Sequence, residues 1–134
     1  MVDKNGVIRA VSNMVDAVNH GDFTSAGNAF TQTAVIIEDI PPFRWQGRDA
    51  VSHWLSAMGS NAATLGISSV AMSLGEETRL ELDGREAYAV FAGQLCLKGA
   101  SVYLVADGTL TFTLRAQNER WLIDTLVWSG PEPG

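Results

Sequence analysis

The chain has 134 residues, 46% of them hydrophobic and 18% charged, enough for one core and too few for two ordinary domains. Nine lysines and arginines against fifteen aspartates and glutamates leave a formal net charge of -6. That balance repels a phosphate backbone or an anionic membrane surface at long range, which argues against nucleic acid and membrane as partners. The single cysteine, Cys96, cannot close an internal disulfide, so a reducing cytoplasm is expected. The start Met1-Val2-Asp3-Lys4 has no signal-peptide apolar run, and no apolar stretch reaches bilayer-spanning length. A soluble, unprocessed chain is expected, with residues 1-134 forming a single domain and Gly130 to Gly134 a loose tail.

From Asp3 to His20, Val7, Val11, Met14 and Val18 recur at helical spacing with Ile8 and Val15 beside them, which predicts a helix burying one stripe. Asp3 is its expected N-cap and Gly21 its stop. Asp22 then caps a shorter helical stretch in which Phe23, Ala26 and Phe30 are expected to share a face. The β-branched run Ala34-Val35-Ile36-Ile37 reads as a short strand ending at Glu38-Asp39, before Pro41-Pro42 forbids further pairing. After the loop Phe43 to Gly47, a third helix carries Val51, Trp54, Leu55 and Met58 on one side and fades at Gly59.

Beyond Gly66 the texture is that of strands, expected at Ile67 to Leu74, Thr78 to Leu82, Glu86 to Leu97, Val102 to Leu114 and Arg120 to Trp128. Asp83-Gly84 is a strong two-residue hairpin signal. Helices followed by a meander of strands mean an α+β fold. In the last strand Trp121, Ile123 and Val127 alternate with Leu122, Leu126 and Trp128, so both faces read as apolar. One face then needs a cover beyond the helices, either a curled part of the same sheet or a second subunit.

The residues that bear chemistry are few. The two histidines, His20 and His53, have no metal-ligand spacing, and there is no glycine-rich phosphate loop or nucleophile elbow. No metal or other cofactor is expected. Cys96 reads as a quiet thiol, with only Lys98 near it. Strand alternation puts Glu38 on the side of Ile36, where a carboxylate facing apolar walls would have raised basicity, as a general base needs. The alternative is that Glu38 and Asp39 both reach water at a strand end. Asp124 sits in the most apolar strand, sharing a face with Leu122, Leu126 and Trp128; it either lines an interior space or pairs with a cation such as Arg115. Trp54 reads as core, and Trp45, in its loop, as a cover for a pocket mouth.

The order of these elements, the segment Asn19-His20-Gly21-Asp22-Phe23, the strand ending in Glu38-Asp39, the helix opening Gly47-Arg48-Asp49-Ala50-Val51 and the closing Trp128-Ser129 together resemble the nuclear transport factor 2-like superfamily, in its SnoaL-like and ketosteroid isomerase-like branch. The resemblance covers nearly the whole chain. It implies a cystatin-like cone, a strongly curved mixed or antiparallel sheet wrapped around three helices, with a ligand pocket at the open end and pairing of subunits through the sheet's outer face. It places the isomerase branch's general base on Glu38, keeping a carboxylate. The tyrosine of the first helix falls on Met14, the supporting tyrosines on Phe30 and Leu55, and the second acid on Leu110 or Thr111. Without those donors a developing enolate loses its stabilisation, so a true ketosteroid isomerase is not expected.

The implied function is binding of a small apolar, polyketide-like or steroid-like molecule, with acid-base isomerisation, cyclisation or hydrolysis by Glu38 and Asp124. Met14, Ile36, Trp45, Trp54, Leu55, Leu110, Leu126 and Trp128 are the expected pocket wall. The alternative is a non-catalytic ligand-binding or dimerisation module of the same fold.

Overall fold

The computed structural model describes residues 3–130, so the expected tail from Pro131 onward lies outside the described residues. Helix α1 (Lys4–Asn19) starts where the Asp3 carboxylate accepts the Gly6 backbone N–H at 2.8 Å, and it buries Val7, Val11, Met14 and Val15. Helix α2 (Phe23–Asn28) is a turn and a half capped by Asp22. Phe30 does not continue it but opens strand β1 (Phe30–Ile37), and Phe23 is half exposed at 52%, so the expected shared face is reduced to Ala26.

The segment expected to be a loop contains a short strand, β2 (Arg44–Gln46), which pairs antiparallel with β1. Glu38 N–H donates to the Phe43 carbonyl at 3.1 Å and Phe43 N–H to that of Ile40 at 2.8 Å, which turns the chain back around the prolines. Pro41 and Pro42 thus sit in the turn, and pairing resumes after them. Helix α3 (Ala50–Thr64) runs five residues past Gly59, because the glycine is followed by Ser60-Asn61-Ala62-Ala63, good enough helix formers to carry the turn on.

Four strands follow: β3 (Ile67–Asp83), β4 (Glu86–Gly99), β5 (Tyr103–Gln117) and β6 (Arg120–Ser129). The two strands expected before Asp83 are one. Its pairing with β4 shifts register between Leu74 and Glu77 and again before Arg79, so Gly75-Glu76 makes a bulge in a continuous strand where a break between two strands was expected. The sheet order is β2-β1-β6-β5-β4-β3, with β1 and β6 parallel and the other neighbours antiparallel. Fold class is α+β, with the helices inside a curved mixed sheet.

The core is legible as a row across all six strands. Trp45, Ile36, Leu126, Phe112, Ala89 and Leu80 are successive cross-strand partners, and each is buried. One register step away on the other face, Ile37, Val127, Thr111 and Val90 form the outward row, half-buried or exposed. At the free edge, the Asn19 side chain donates to the Met72 carbonyl and accepts its N–H, at 2.7 and 2.9 Å, tying the end of α1 to β3.

Strand β6 departs from strict alternation. Its register with β5 shifts between Thr113 and Leu114, which inserts a residue at Asp124-Thr125. Trp121 and Ile123 therefore face the core before the bulge, and Leu126 and Trp128 face it after. All four lie on one side, not on the two expected sides, while Leu122, Asp124 and Val127 are only half-buried. Ile123, on one of the two faces of which one was expected to need a cover beyond the helices, is fully buried.

Candidate functional site

At the open end of the cone, a cavity of about 190 Å³ lies between the end of β1, the last turns of α3, the start of β3 and the far ends of β4, β5 and β6. Its wall includes Glu38, Asp39, Met58, Asn61, Val70, Leu95, Ala106 and Trp128. Most of that surface is apolar; the polar groups are two carboxylates, one amide and one indole, and no cation is among them.

Glu38 is 4% exposed. Alternation along β1 carries its side chain to the core face after Ala34 and Ile36, and the Glu38–Phe43 backbone bond holds the strand end in place. Oε1 accepts the Trp54 indole N–H at 3.3 Å, and Oε2 is buried with no partner. Burial pushes the carboxyl up to about 7; the Trp54 bond works against that shift, and the neighbouring charge of Asp39 adds to it. The result is a carboxyl able to hold or release a proton near neutrality, with one oxygen free.

Trp128 reaches this wall because two glycines face it. Gly93 and Gly108 are cross-strand partners on β4 and β5. A Cβ on Gly108 would lie 2.6 Å from Trp128 Cη2 and 2.6 Å from the Ser129 carbonyl oxygen, and one on Gly93 would lie 3.1 Å from the same ring. Side chains at either position would displace the indole from its seat.

The structure brings together Glu38, Trp54 and Trp128 and separates them from several other expected site residues. Asp124 lies outside this cavity wall: its Oδ1 accepts the Thr31 hydroxyl at 2.6 Å and that of Thr33 at 3.4 Å. Trp45 is in the core as the β2 partner of Ile36, so it is no cover for a mouth. Ile36, Leu110 and Leu126 are fully buried in the core behind the site. Leu55 lines a neighbouring cavity of about 180 Å³ with Val18, Phe23 and Met58.

Met14 belongs to a different, more open groove of about 340 Å³ between α1, α2 and the β5–β6 turn, beside Arg9, Arg120 and Trp121. That groove is roomier, but its charged residues are exposed. The unpaired Trp121 indole nitrogen there is buried against α1, where a Cβ on Gly6 would lie 3.2 Å from it. The buried carboxyl with a free oxygen is in the wall of the Glu38 cavity.

The cavity-lining residues missed from sequence are Ile40 after β1, Met58, Asn61, Ala62 and Leu65 of α3 and its end, and Ile67, Val70, Leu95, Leu97 and Ala106 of the sheet. Asn61 and Leu65 were findable: helical spacing from Met58 reaches both, had the helix been continued through Gly59. Among the described residues, no group of three histidine, cysteine or acidic side chains is placed to hold a metal ion, and no helix is long and apolar enough to cross a membrane.

The sequence profile of the SnoaL-like domain matches residues 1–127. No curated protein matches the chain. Among solved structures, a nuclear transport factor 2-like protein with a cystatin-like fold from Novosphingobium aromaticivorans is similar at 13% identity and TM-score 0.80, covering 98% of this chain and 84% of that one. A candidate aromatic ring hydroxylase from the same organism has 16% identity and TM-score 0.79, with coverage of 98% and 90%. A candidate scytalone dehydratase, also from that organism, has 12% identity and TM-score 0.77, with coverage of 95% and 83%. At such identities the likeness to solved structures is one of fold. With its profile match across nearly the whole length and its curved sheet around three helices, the chain belongs to the SnoaL-like family, on a nuclear transport factor 2-like, cystatin-like fold.

Proposed function

We propose that the chain binds a small, largely apolar molecule in the Glu38 cavity and catalyses a proton transfer on it, with Glu38 as general base or acid. The observation that carries this reading is the buried Glu38 carboxyl, one oxygen of it without a partner, in the wall of a largely apolar cavity. A carboxylate in that position is costly unless something offers it a proton, and a bound hydroxyl or acidic C–H would do so. Trp54 holds the other oxygen, which fixes the direction in which the free lone pairs point.

The step is an abstraction by the Glu38 carboxylate of a proton from substrate, returned to a different atom in an isomerisation or cyclisation or delivered to a leaving group in an elimination; in a hydrolysis Glu38 takes the proton from an attacking water, whose oxygen bonds to the substrate, and passes it to the leaving group. The names of two structural relatives, a candidate dehydratase and a candidate ring hydroxylase, support an enzyme on this scaffold. With Asp124 engaged by two threonine hydroxyls, the reading rests on one carboxylate, and Asn61 and Trp128 supply the neutral donors near it.

The test is a screen of monocyclic and bicyclic phenols and ketones against the wild type and Glu38→Gln. The amide preserves shape but takes no proton, so turnover of any hit should vanish while affinity changes by less than about tenfold. Hits whose binding and turnover are indifferent to Glu38→Gln would end the reading.

A second element of the proposal is a homodimer through the outer face of the sheet, in keeping with the cytoplasmic, ligand-binding protein proposed. Its support is the outward row Ile37, Val127, Thr111 and Val90, an uncharged stretch between Arg44 and Arg79 at its two ends, and the exposure of Ile37 at 39%. A monomer in sedimentation equilibrium at micromolar concentration would remove it; a dimer that Val127→Lys dissociates would support it.

A further inference from the structure

Resting on that reading of the Glu38 cavity, we infer that Met58 is the residue that sets substrate size, as a wall between the Glu38 cavity and the cavity next to it. The two cavities have about 190 and about 180 Å³ of space and share four lining residues: Met58 and Ala62 from α3, Ile67 and Val70 from β3. Met58 and Ala62 are one helical turn apart and so present the same face to β3. The partition is therefore one layer of side chains thick, made by two residues from each element.

Of the four, only Met58 is both long and free to move. Ala62 has nothing to withdraw, Ile67 is 6% exposed and β-branched, and Val70 is short and β-branched. Methionine is unbranched with three rotatable bonds, and this one is only half-buried. The space in front of Glu38 is close to that of a cavity that holds one aromatic ring, roughly 150 Å³ in an engineered case, whereas larger ligands take pockets of about 300 Å³ and more. With Met58 in place the Glu38 cavity suits one or two rings. With Met58 removed, the second cavity adds a nearly equal volume whose only polar side chain is Ser68.

The polar lining selects further. Glu38 and Asp39 are the charged groups of the first cavity and the second has none, so a neutral or cationic molecule is admitted and a carboxylate or phosphate is repelled. The substrate class is a neutral one-ring or two-ring molecule with a hydroxyl or acidic C–H directed at Glu38.

The experiment compares 2-naphthol with estradiol, a four-ring phenol, by calorimetry on wild type, Met58→Ala and Glu38→Gln. Wild type should bind naphthol more tightly than estradiol. Met58→Ala should improve estradiol binding by about tenfold or more and change naphthol by less than about threefold, as expected when one blocking side chain is removed. If Met58→Ala does not fold, Val70→Ala thins the same wall from β3 and should shift the ratio in the same direction. Wild type binding both phenols equally, or a ratio unmoved by either variant, overturns the role of Met58 and leaves the Glu38 reading standing. Naphthol failing to bind overturns both, whereas binding to Glu38→Gln within about tenfold of wild type supports the Glu38 reading, since the amide keeps the shape of the site.

Discussion

Glu38 and Asp124 are the same functional group in similar sequence surroundings, each among β-branched and aromatic residues of a strand, yet the fold treats them in opposite ways. Glu38 ends β1 on the core face, with one weak indole donor and one oxygen bare. Asp124 sits at a bulge in β6, half-buried, with Thr31 and Thr33 hydroxyls on one oxygen. The first keeps an unmet demand for a proton, and the second has its demand answered locally. Whether an acid in an apolar strand can do chemistry is therefore decided by the donors around it more than by the hydrophobicity of its neighbours.

The largest effect that sharpens this contrast falls on Trp54, which is fully buried and donates to Glu38. Trp54→Ala should cost about 3–5 kcal/mol of stability, read from urea unfolding, because it opens a large cavity in the core. A variant unfolding at the same urea concentration as the parent would mean that Trp54 does not anchor α3 against the site.

Glu38 itself gives the next effect, in pH dependence. Its folded-state pKa lies above the ordinary value of 4.5, at about 7. The native state thus holds this proton more tightly than the unfolded state, and its advantage is present below about 4.5 and lost as pH rises through about 7. Integrated over that shift, the loss is up to about 3 kcal/mol. Glu38→Gln should remove this component, so the difference in unfolding free energy between variant and wild type should grow from pH 4.5 to 8 and then level. No such growth would place Glu38 in water and dissolve the comparison with Asp124.

A third effect isolates the indole that shares the cavity wall with Glu38. Gly108→Ala puts a methyl 2.6 Å from the Trp128 ring and the Ser129 carbonyl, where the backbone oxygen cannot simply turn away. It should cost about 1–3 kcal/mol and shift tryptophan fluorescence, whereas Gly93→Ala, whose nearest contact is a Leu110 methyl at 3.0 Å, should cost less. Equal costs would mean that the seat of Trp128 is looser than the contacts imply.

Much of this architecture follows from periodicity. The stripe Val7, Val11, Met14 and the run Ala34 to Ile37 each report a local period of 3.6 or 2, and both were readable. What local period does not report is a residue inserted into it. The bulge at Asp124 swaps the faces of β6 halfway along, and the bulge at Gly75-Glu76 looks like a break between two strands until β4 is seen to pair on both sides of it. The cavity wall was harder still, since Met58, Val70 and Ala106 come from three elements and each alone resembles core. Glu38 was legible because alternation and family resemblance converge on it, while the hydroxyls that occupy Asp124 come from a strand 91 to 93 residues earlier.

The smallest effect completes the comparison from the side of Asp124. Its 2.6 Å bond with Thr31 joins β1 to β6 beside the register shift of their parallel pairing, where backbone bonds are interrupted. Asp124→Asn keeps an oxygen for Thr31 but removes the charge that strengthens the bond, so it should cost about 1 kcal/mol, and Thr31→Val a similar amount. Because the two act through one contact, the double variant should cost less than the sum of the singles. Ligand affinity at the Glu38 cavity should stay within about twofold of wild type in Asp124→Asn if the carboxylate serves the sheet alone. A loss of turnover in Asp124→Asn with stability intact would instead make Asp124 a partner of Glu38 in the chemistry, and the division drawn here between a poised carboxyl and a satisfied one would fail.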